Sequence, residues 1–207
     1  MSRFVVDYYF TVTSPWSFLG HGEFSEIARE ADAQVNVKAI DLGAVFAISG
    51  GLPLPKRPQQ RQRYRLFELQ RWRRRRDLPL NLHPKYFPAD HSLGNKAILA
   101  ADDLGLDAMQ LAGALMRGVW CEERNVADPA CIAETATALG LDGQALLKRA
   151  GSDAIEQRYR ELTEEAKTRQ VFGAPTYIIN DEPFWGQDRL DFVREVLLEG
   201  TPSLSQA

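Results

Sequence analysis

The chain has 207 residues, of which 44% are hydrophobic and 26% charged, a composition typical of an ordinary globular protein that excludes a disordered or fibrous chain. A formal net charge of −3 argues against a surface built as a whole for nucleic acid. Cys121 and Cys131 are too few and too poorly spaced for a disulfide framework or a zinc site, so both are interpreted as small buried residues. Because the opening MSRFVVDYYF lacks the long apolar stretch of a signal peptide, we expect a cytoplasmic protein without membrane association.

The N-terminal segment predicts a strand–helix–strand unit. Residues 4–10 are β-branched and aromatic, which is typical of a buried strand. Ser14 and Pro15 form an N-cap and first-turn pair, which predicts a helix that ends near Ala31. Alternating apolar residues over 34–42 predict a second strand, so this segment forms a βαβ unit.

The middle of the chain predicts a helical block. Residues 43–58 are rich in glycine and proline and are expected to form a loop, whereas nearly all of 59–150 has helical periodicity. Asp128, followed by a proline, and Asp142 both predict helix starts. A long amphipathic helix is expected over 152–169.

The C-terminal segment returns to β-structure. A strand is expected over 176–179, a turn at 180–181, an edge strand over 183–185, and a last helix from Gln187 or Asp188.

The order βαβ, helices, αββα is the thioredoxin topology with a helical insertion. We therefore predict an α/β protein with a thioredoxin-like βαβ–αββα core. Residues 1–45 and 151–207 are assigned to this core, and residues 46–150 to an inserted all-helical domain.

Ser14 is the first candidate for chemistry. A helix N-terminus offers unpaired N–H groups and positive dipole, so it stabilises an anion, and a serine hydroxyl there can donate to a thiolate. The alternative is that Ser14 is only an N-cap.

Two further segments are candidates. Pro175 directly before a strand, with a glycine two residues earlier, is a place where a cis peptide exposes backbone groups, although a plain turn explains the same pattern. In residues 184–190, Gly186 permits a sharp turn and Asp188 falls in the first helical turn, where it could receive an amino group or simply cap its own helix.

The combination of these segments points to a thiol-binding site. Ser14-Pro15-Trp16-Ser17 occupies the position at which thiol–disulfide oxidoreductases of thioredoxin topology carry Cys-x-x-Cys. Hydroxyls cannot form a disulfide, so dithiol redox chemistry is excluded at this position and the sulfur must come from an external thiol.

Three motifs carry a resemblance to a known family. Over essentially its whole length the chain resembles the 2-hydroxychromene-2-carboxylate isomerases, relatives of kappa-class glutathione transferases and DsbA-like proteins. The motifs are DYYFTVTSPWSFLG, YRLFELQRWRRRRDLPL and VFGAPTYIINDEPFWGQDRL. The resemblance implies glutathione as cofactor, a small aromatic or conjugated carboxylate as substrate, a role in the catabolism of aromatic compounds, and a homodimer.

The resemblance also implies roles for individual residues. Ser14 would hydrogen-bond the glutathione sulfur as the catalytic residue. The expected cofactor-binding residues are Ser14, Ala174, Pro175, Gln187, Asp188, Arg189 and Arg61. The expected substrate residues are Lys56, Tyr86 and Trp120. Three positions depart from the family pattern: Thr11 stands where relatives often have Asp, Gln187 where Asn or Ser is usual, and Phe46 where the naphthalene-pathway isomerases carry a basic residue.

A basic run and three histidines have competing interpretations. Residues 56–76 hold ten of the 25 Lys and Arg residues, which could indicate a nucleic-acid site, a solvated helix face, or a surface that attracts anionic glutathione and substrate. We favour the solvated face, with Tyr64, Phe67 and Trp72 packing inward, and expect no nucleic-acid binding. The histidines lack metal-ligand spacing, so no metal site is predicted.

The resemblance implies cis–trans isomerisation through reversible thiolate addition to a conjugated substrate. The alternative enzyme is a kappa-like glutathione transferase or peroxidase that consumes glutathione and acts on small electrophiles. A non-catalytic binding protein that keeps the fold is the alternative outside enzymes.

Overall fold

The computed structural model describes residues 4–204, which form a mixed four-stranded sheet surrounded by helices. The strands are β1 (Val5–Phe10), β2 (Gln34–Ala39), β3 (Thr176–Ile179) and β4 (Glu182–Trp185), in the order β2-β1-β3-β4. Strands β1 and β2 are parallel, whereas β3 is antiparallel to both β1 and β4. The central strand β1 is therefore buried between neighbours, as its aromatic and β-branched sequence predicts.

The described residues include nine α-helices. They are α1 (Pro15–Glu30), α2 (Leu42–Ser49), α3 (Gln59–Arg75), α4 (Ser92–Asp103), α5 (Ala108–Cys121), α6 (Pro129–Ala138), α7 (Gly143–Ala150), α8 (Asp153–Thr168) and α9 (Leu190–Arg194). Short 3₁₀ helices cover Leu54–Lys56 and Gln187–Arg189, and a π-helical turn covers Glu195–Glu199. No helix within residues 4–204 is long and apolar enough to cross a bilayer.

The predicted helix starts are confirmed by their capping hydrogen bonds. The side chains of Ser14, Asp128, Asp142 and Ser152 each accept a hydrogen bond from a backbone amide in the first turn of the following helix. Such bonds satisfy amides that have no partner inside the helix. The strand–helix–strand opening and the final two strands are confirmed as well.

The prediction of a loop over residues 43–58 is wrong in its first half. Asp41 caps α2 by accepting from the amides of Gly43 at 2.9 Å and Ala44 at 3.1 Å, and Gly50 ends this helix with φ of +77°. Because the cap satisfies two amides at once, it starts a helix in spite of the glycine in the first turn. Strand β2 consequently ends at Ala39.

The inward packing expected for α3 is wrong for two of its three aromatic residues. The side chains of Tyr64 and Phe67 are 58% and 45% exposed, and Trp72 is half-buried. The buried residues of this helix are Arg65 and Leu69. Because α3 carries apolar residues on every side, its sequence does not define which face is buried.

One hydrophobic core joins the sheet to the inserted helices. It includes Tyr8 and Tyr177, stacked at 5.2 Å between ring centroids, together with Leu111 and Trp120 of α5. Helix α2 crosses the expected boundary between residues 45 and 46, and the division into a core and an inserted domain stays a prediction. Cys131 is buried and Cys121 half-buried, and burial raises the pKa of the Cys121 thiol.

Candidate active site

Ser14 lies between the end of β1 and the start of α1. One backbone amide in the first turn of α1 has no hydrogen-bond acceptor among the described residues. Its hydroxyl oxygen accepts from the amide of Ser17 at 3.2 Å, and its carbonyl oxygen accepts from the amide of Phe18 at 3.0 Å. Pro15 has no N–H to offer. Within residues 4–204 the amide of Trp16 forms no hydrogen bond, so it remains available at the positive end of the helix dipole.

The sheet brings Ala174 and Pro175 to Ser14 from 160 residues away. In the antiparallel pair of β1 and β3, Tyr9 stands opposite Thr176, so the residues before β3 lie beside the residues that follow β1. The hydroxyl of Ser14 donates to the carbonyl oxygen of Ala174 at 3.4 Å, and the Ala174–Pro175 peptide bond is cis. A bond of this length is weak, so the hydroxyl can turn to a better acceptor at low cost.

The turn after β4 places Gln187 and Asp188 beside the same proline. The amide of Gly186 donates to the carbonyl oxygen of Pro175 at 2.9 Å. Gly186 has φ of +110°, and a Cβ at this position would lie 2.5 Å from Oδ1 of Asp188. Only glycine fits this turn, because a side chain would meet both backbone strain and the carboxylate.

A cavity of about 250 Å³ lies next to this turn. It is lined by Glu23, Trp72, Arg75, Arg76, Gln187, Asp188, Leu190 and Asp191. Arg76 pairs with Glu23 and donates to the carbonyl oxygen of Gln187 at 2.7 Å, while the half-exposed carboxylate of Asp188 pairs with Arg189 at 2.8 Å. The lining carries both signs of charge, which suits a zwitterionic group.

Two buried polar atoms, one on α1 and one packed against it, have unused hydrogen-bonding capacity. Ser14, Ser17 and Gly20 lie on one helix face because they are spaced by three residues. The hydroxyl of Ser17 and Oε1 of Gln187 are buried and have no partner among the described residues. A Cβ on Gly20 would lie 2.9 Å from Cβ of Gln187, so Gln187 packs directly on this face. Ser14 and Ala174 do not line the 250 Å³ cavity itself.

Asn95 of α4 is a buried residue of the site that the sequence analysis did not identify. Its Oδ1 accepts from the amide of Val12 at 2.9 Å, and its Nδ2 donates to the carbonyl oxygen of Ile40 at 3.0 Å and to the hydroxyl of Thr11 at 3.1 Å. Asn95 therefore fixes the loop that carries Ser14. Its signal in the sequence is an amide residue close to the apolar run 97–101 of the same helix.

Arg65 of α3 is a second residue that the sequence analysis did not identify. Its guanidinium lies 5.3 Å from the ring centroid of Phe87 and 5.9 Å from that of Trp120. Burial and the nearby charge of Arg57 lower the pKa of Arg65 to about 10. A four-residue arginine run at the end of the same helix obscured this position in the sequence.

The remaining predicted residues form no hydrogen bond with Ser14 among the described residues. Lys56 and Arg61 are exposed and make no side-chain contact with Ser14. Tyr86 is half-buried beside a shallow, largely acidic depression, with the ammonium of Lys85 5.0 Å from its ring. Trp120 is fully buried, so it has no exposed surface with which to contact a substrate.

Two further positions that depart from the family pattern are accommodated by local contacts. Thr11 is buried against Asn95, as described above. Phe46 is half-buried with the guanidinium of Arg57 5.8 Å from its ring, so a cation stands over this position although the residue itself is apolar. The buried His21 is held by the hydroxyl of Tyr8 and the carbonyl oxygen of Met109, and burial lowers its pKa, which indicates a structural role.

Comparisons with known proteins agree with this geometry. Residues 5–198 match the DSBA-like thioredoxin domain. The 2-hydroxychromene-2-carboxylate isomerase of Pseudomonas sp. (strain C18) is 33% identical over 96% of this chain and 92% of that protein. A solved structure of 2-hydroxychromene-2-carboxylate isomerase is 29% identical with a TM-score of 0.79, covering 93% of this chain and 94% of that one.

A more distant structure shows the same fold. The cytosolic disulfide reductase DsbM from Pseudomonas aeruginosa with GSH is 16% identical, with a TM-score of 0.67 over 95% of this chain and 98% of that one. The chain therefore belongs to the DSBA-like thioredoxin domain family and, within it, to the family of 2-hydroxychromene-2-carboxylate isomerases.

Proposed function

We propose that the protein is a glutathione-dependent cis–trans isomerase of the 2-hydroxychromene-2-carboxylate type. The observation that carries the proposal is the pairing of Ser14 with Ala174 at an open helix N-terminus, in a chain 33% identical to an isomerase of that name. Hydroxyls replace both sulfurs of the Cys-x-x-Cys position, so the site can bind a thiolate but cannot exchange disulfides.

The residues present suit glutathione. Ser14 would hold the sulfur, and the backbone at Ala174 would pair with the cysteinyl part. Gln187 and Asp188 would hold the γ-glutamyl end, whose ammonium and carboxylate match the mixed charges of the neighbouring cavity. When bound, glutathione supplies a thiolate that adds reversibly to a conjugated double bond, so that the bond can rotate before the thiolate leaves.

Ser14 acts on this thiolate as a hydrogen-bond donor. A free thiol has a pKa of about 8.5, so the site must lower it for the thiolate to predominate at neutral pH. The hydroxyl of Ser14, which here donates to the carbonyl oxygen of Ala174, would donate to the sulfur, and the open amide of Trp16 would be a second donor. Both donors are held by the fold before the ligand arrives, so little reorganisation is needed.

Replacement of Ser14 tests the proposal. Ser14→Ala should lower the rate of 2-hydroxychromene-2-carboxylate isomerisation about a hundredfold, because one preorganised donor to an anion is lost. It should also cost about 1 kcal/mol of stability through the lost N-cap. Ser14→Cys should be slow as well and become sensitive to oxidised glutathione, because its thiol can form a mixed disulfide.

Ser25→Ala is the matched control. Ser25 lies on the same helix, and its hydroxyl donates to the carbonyl oxygen of His21 at 2.8 Å, away from the site. This variant should turn over at the wild-type rate. A Ser14→Ala enzyme with the wild-type rate would show that Ser14 is only a helix cap. Free thiol must be titrated in the same assay, because stoichiometric loss of glutathione would indicate a transferase instead of an isomerase.

A further inference from the structure

Arg65 carries a buried positive charge without a counterion. Its side chain points inward from α3, it is 8% exposed, and its Nη2 is buried without a hydrogen-bond partner in residues 4–204. Arg65 takes part in none of the ion pairs between described residues. A buried guanidinium in this state is costly, so an anionic partner from outside the chain would be strongly favoured.

The groups around Arg65 define the chemistry of that partner. The rings of Phe87 and Trp120 pack on each other, 4.8 Å apart between centroids, and the guanidinium lies 5.3 Å from the first ring and 5.9 Å from the second. These rings attract a cation but cannot neutralise it. Arg57 adds a second positive charge nearby. A guanidinium fork beside the half-buried ring of Phe87 suits a planar ligand that ends in a carboxylate, because the fork binds both oxygens and a planar group can pack against an aromatic ring.

The cluster lies at the Ser14 end of α1. Helix α5 is antiparallel to α1, because its Gly113 lies against His21 while Val126, beyond its C-terminal end, lies near Val12. Val12 and Val126 both come within 3.3 Å of the position that a Cβ would take on the glycine in the first turn of α4. Trp120 is seven residues beyond Gly113, about 10 Å along α5 toward that end. Trp120, and with it Arg65, therefore lies toward the Ser14 end of α1.

We propose that Arg65 binds the carboxylate of a planar, conjugated substrate and thereby makes the enzyme specific for aromatic carboxylates over uncharged analogues. For the reaction itself, this inference rests on the proposed function. The carboxylates of glutathione offer the same chemistry, so the experiment must separate the two sources.

Ligand binding provides a test that does not depend on turnover. We would measure the dissociation constants of 2-hydroxycinnamate, of its methyl ester and of glutathione by calorimetry, for the wild type and Arg65→Gln. The wild type should bind the carboxylate more tightly than the ester. Arg65→Gln should weaken carboxylate binding at least tenfold and leave ester and glutathione binding within about twofold, because only the charge-assisted bond is lost.

Two more variants make the result specific. Arg63→Gln removes a charge from an exposed position two residues away on the same helix and should leave all three dissociation constants unchanged. Arg65→Lys keeps the charge but loses the planar fork, so its dissociation constant for the carboxylate should lie between those of the wild type and Arg65→Gln. If Arg65→Gln does not fold, Arg65→Lys is the variant to compare with the wild type. With 2-hydroxychromene-2-carboxylate as substrate, Arg65→Gln should raise KM more than it lowers kcat.

Each contrary outcome has its own meaning. Equal weakening of carboxylate and ester would show a structural role for Arg65 and overturn the inference. A loss confined to glutathione would assign Arg65 to the cofactor and overturn it too. If the wild type does not isomerise the chromene but still discriminates carboxylate from ester through Arg65, the proposed function fails and the binding inference stands.

Discussion

Replacing Asn95 with alanine should damage both the stability of the protein and the geometry of its site. Asn95 is fully buried and holds two backbone groups that have no other described partner, the amide of Val12 and the carbonyl oxygen of Ile40. The variant removes both bonds and leaves a small void in which water cannot easily replace them. The loop between β1 and α1 then loses its link to α4.

The size of the effect follows from these groups. Each buried backbone group left without a partner costs about 1–3 kcal/mol, so we expect a loss of about 3 kcal/mol in the free energy of unfolding. For a chain of this length that corresponds to a fall in Tm of about 6–12 °C. Urea unfolding monitored by tryptophan fluorescence would measure the loss, with the exposed Gln70→Ala on α3 as a control expected to stay within about 0.5 kcal/mol.

Activity provides the second measurement on Asn95→Ala. At a temperature where the variant is fully folded, its isomerisation rate should still fall, because the loop that carries Ser14 is no longer fixed at Val12. An unfolding free energy within 0.5 kcal/mol of the wild type would refute the hydrogen-bond reasoning. A large loss of stability with an unchanged rate would show that Asn95 holds the fold but does not position Ser14.

Two further predictions concern charged groups. Asp188→Asn should weaken glutathione binding about tenfold in calorimetry, because a charge-assisted hydrogen bond to the ligand is lost. The fold should stay intact, because the carboxylate of Asp188 is 41% exposed. Asp191 lines the same cavity, so an equal loss in Asp191→Asn would argue against a specific role for Asp188. For Asp7, burial disfavours ionisation, but the hydrogen bond from Asn36 and the charge of Lys38 outweigh it, so its pKa lies below the ordinary value of 3.8. Ionised Asp7 therefore contributes stability above about pH 4 that is lost as pH falls through its folded-state pKa. In urea unfolding at a series of pH values, Asp7→Asn should be destabilised at pH 7, and a difference from wild type that does not shrink below about pH 4 would contradict this assignment.

Local sequence signals predict most of the secondary structure because caps and strands depend on adjacent residues. Ser14 followed by proline, and Asp128 followed by proline, start helices where expected. Asp41 does the same and could have been identified by the same rule, but the glycines and prolines after it favoured a loop. The buried face of α3 could not be predicted, because it is chosen by distant partners that local periodicity does not contain.

The candidate site shows the same limit. The four residues 14–17 are enough to predict a helix N-terminus at Ser14. The contact of Ser14 with Ala174 depends instead on the order of strands in the sheet. The resemblance to a known family assigned both residues to glutathione binding, whereas local periodicity connected neither to the other. Asn95 bonds to Ile40, which is 55 residues away in the sequence, and Arg65 lies over Phe87, which is 22 residues away. No local pattern therefore indicates the role of either residue.

The structure separates two contributions of the inserted helices to the site. Helix α4 fixes the Ser14 loop through the hydrogen bonds of Asn95, so changes there should alter every reaction that the site supports. Helix α3 carries Arg65, for which we propose a role in substrate binding and which forms no hydrogen bond with that loop among the described residues, so changes there should alter which substrate binds. Because the two proposed roles lie on different helices, we expect substitutions in α3 to change substrate preference while the proposed thiolate site at Ser14 is kept.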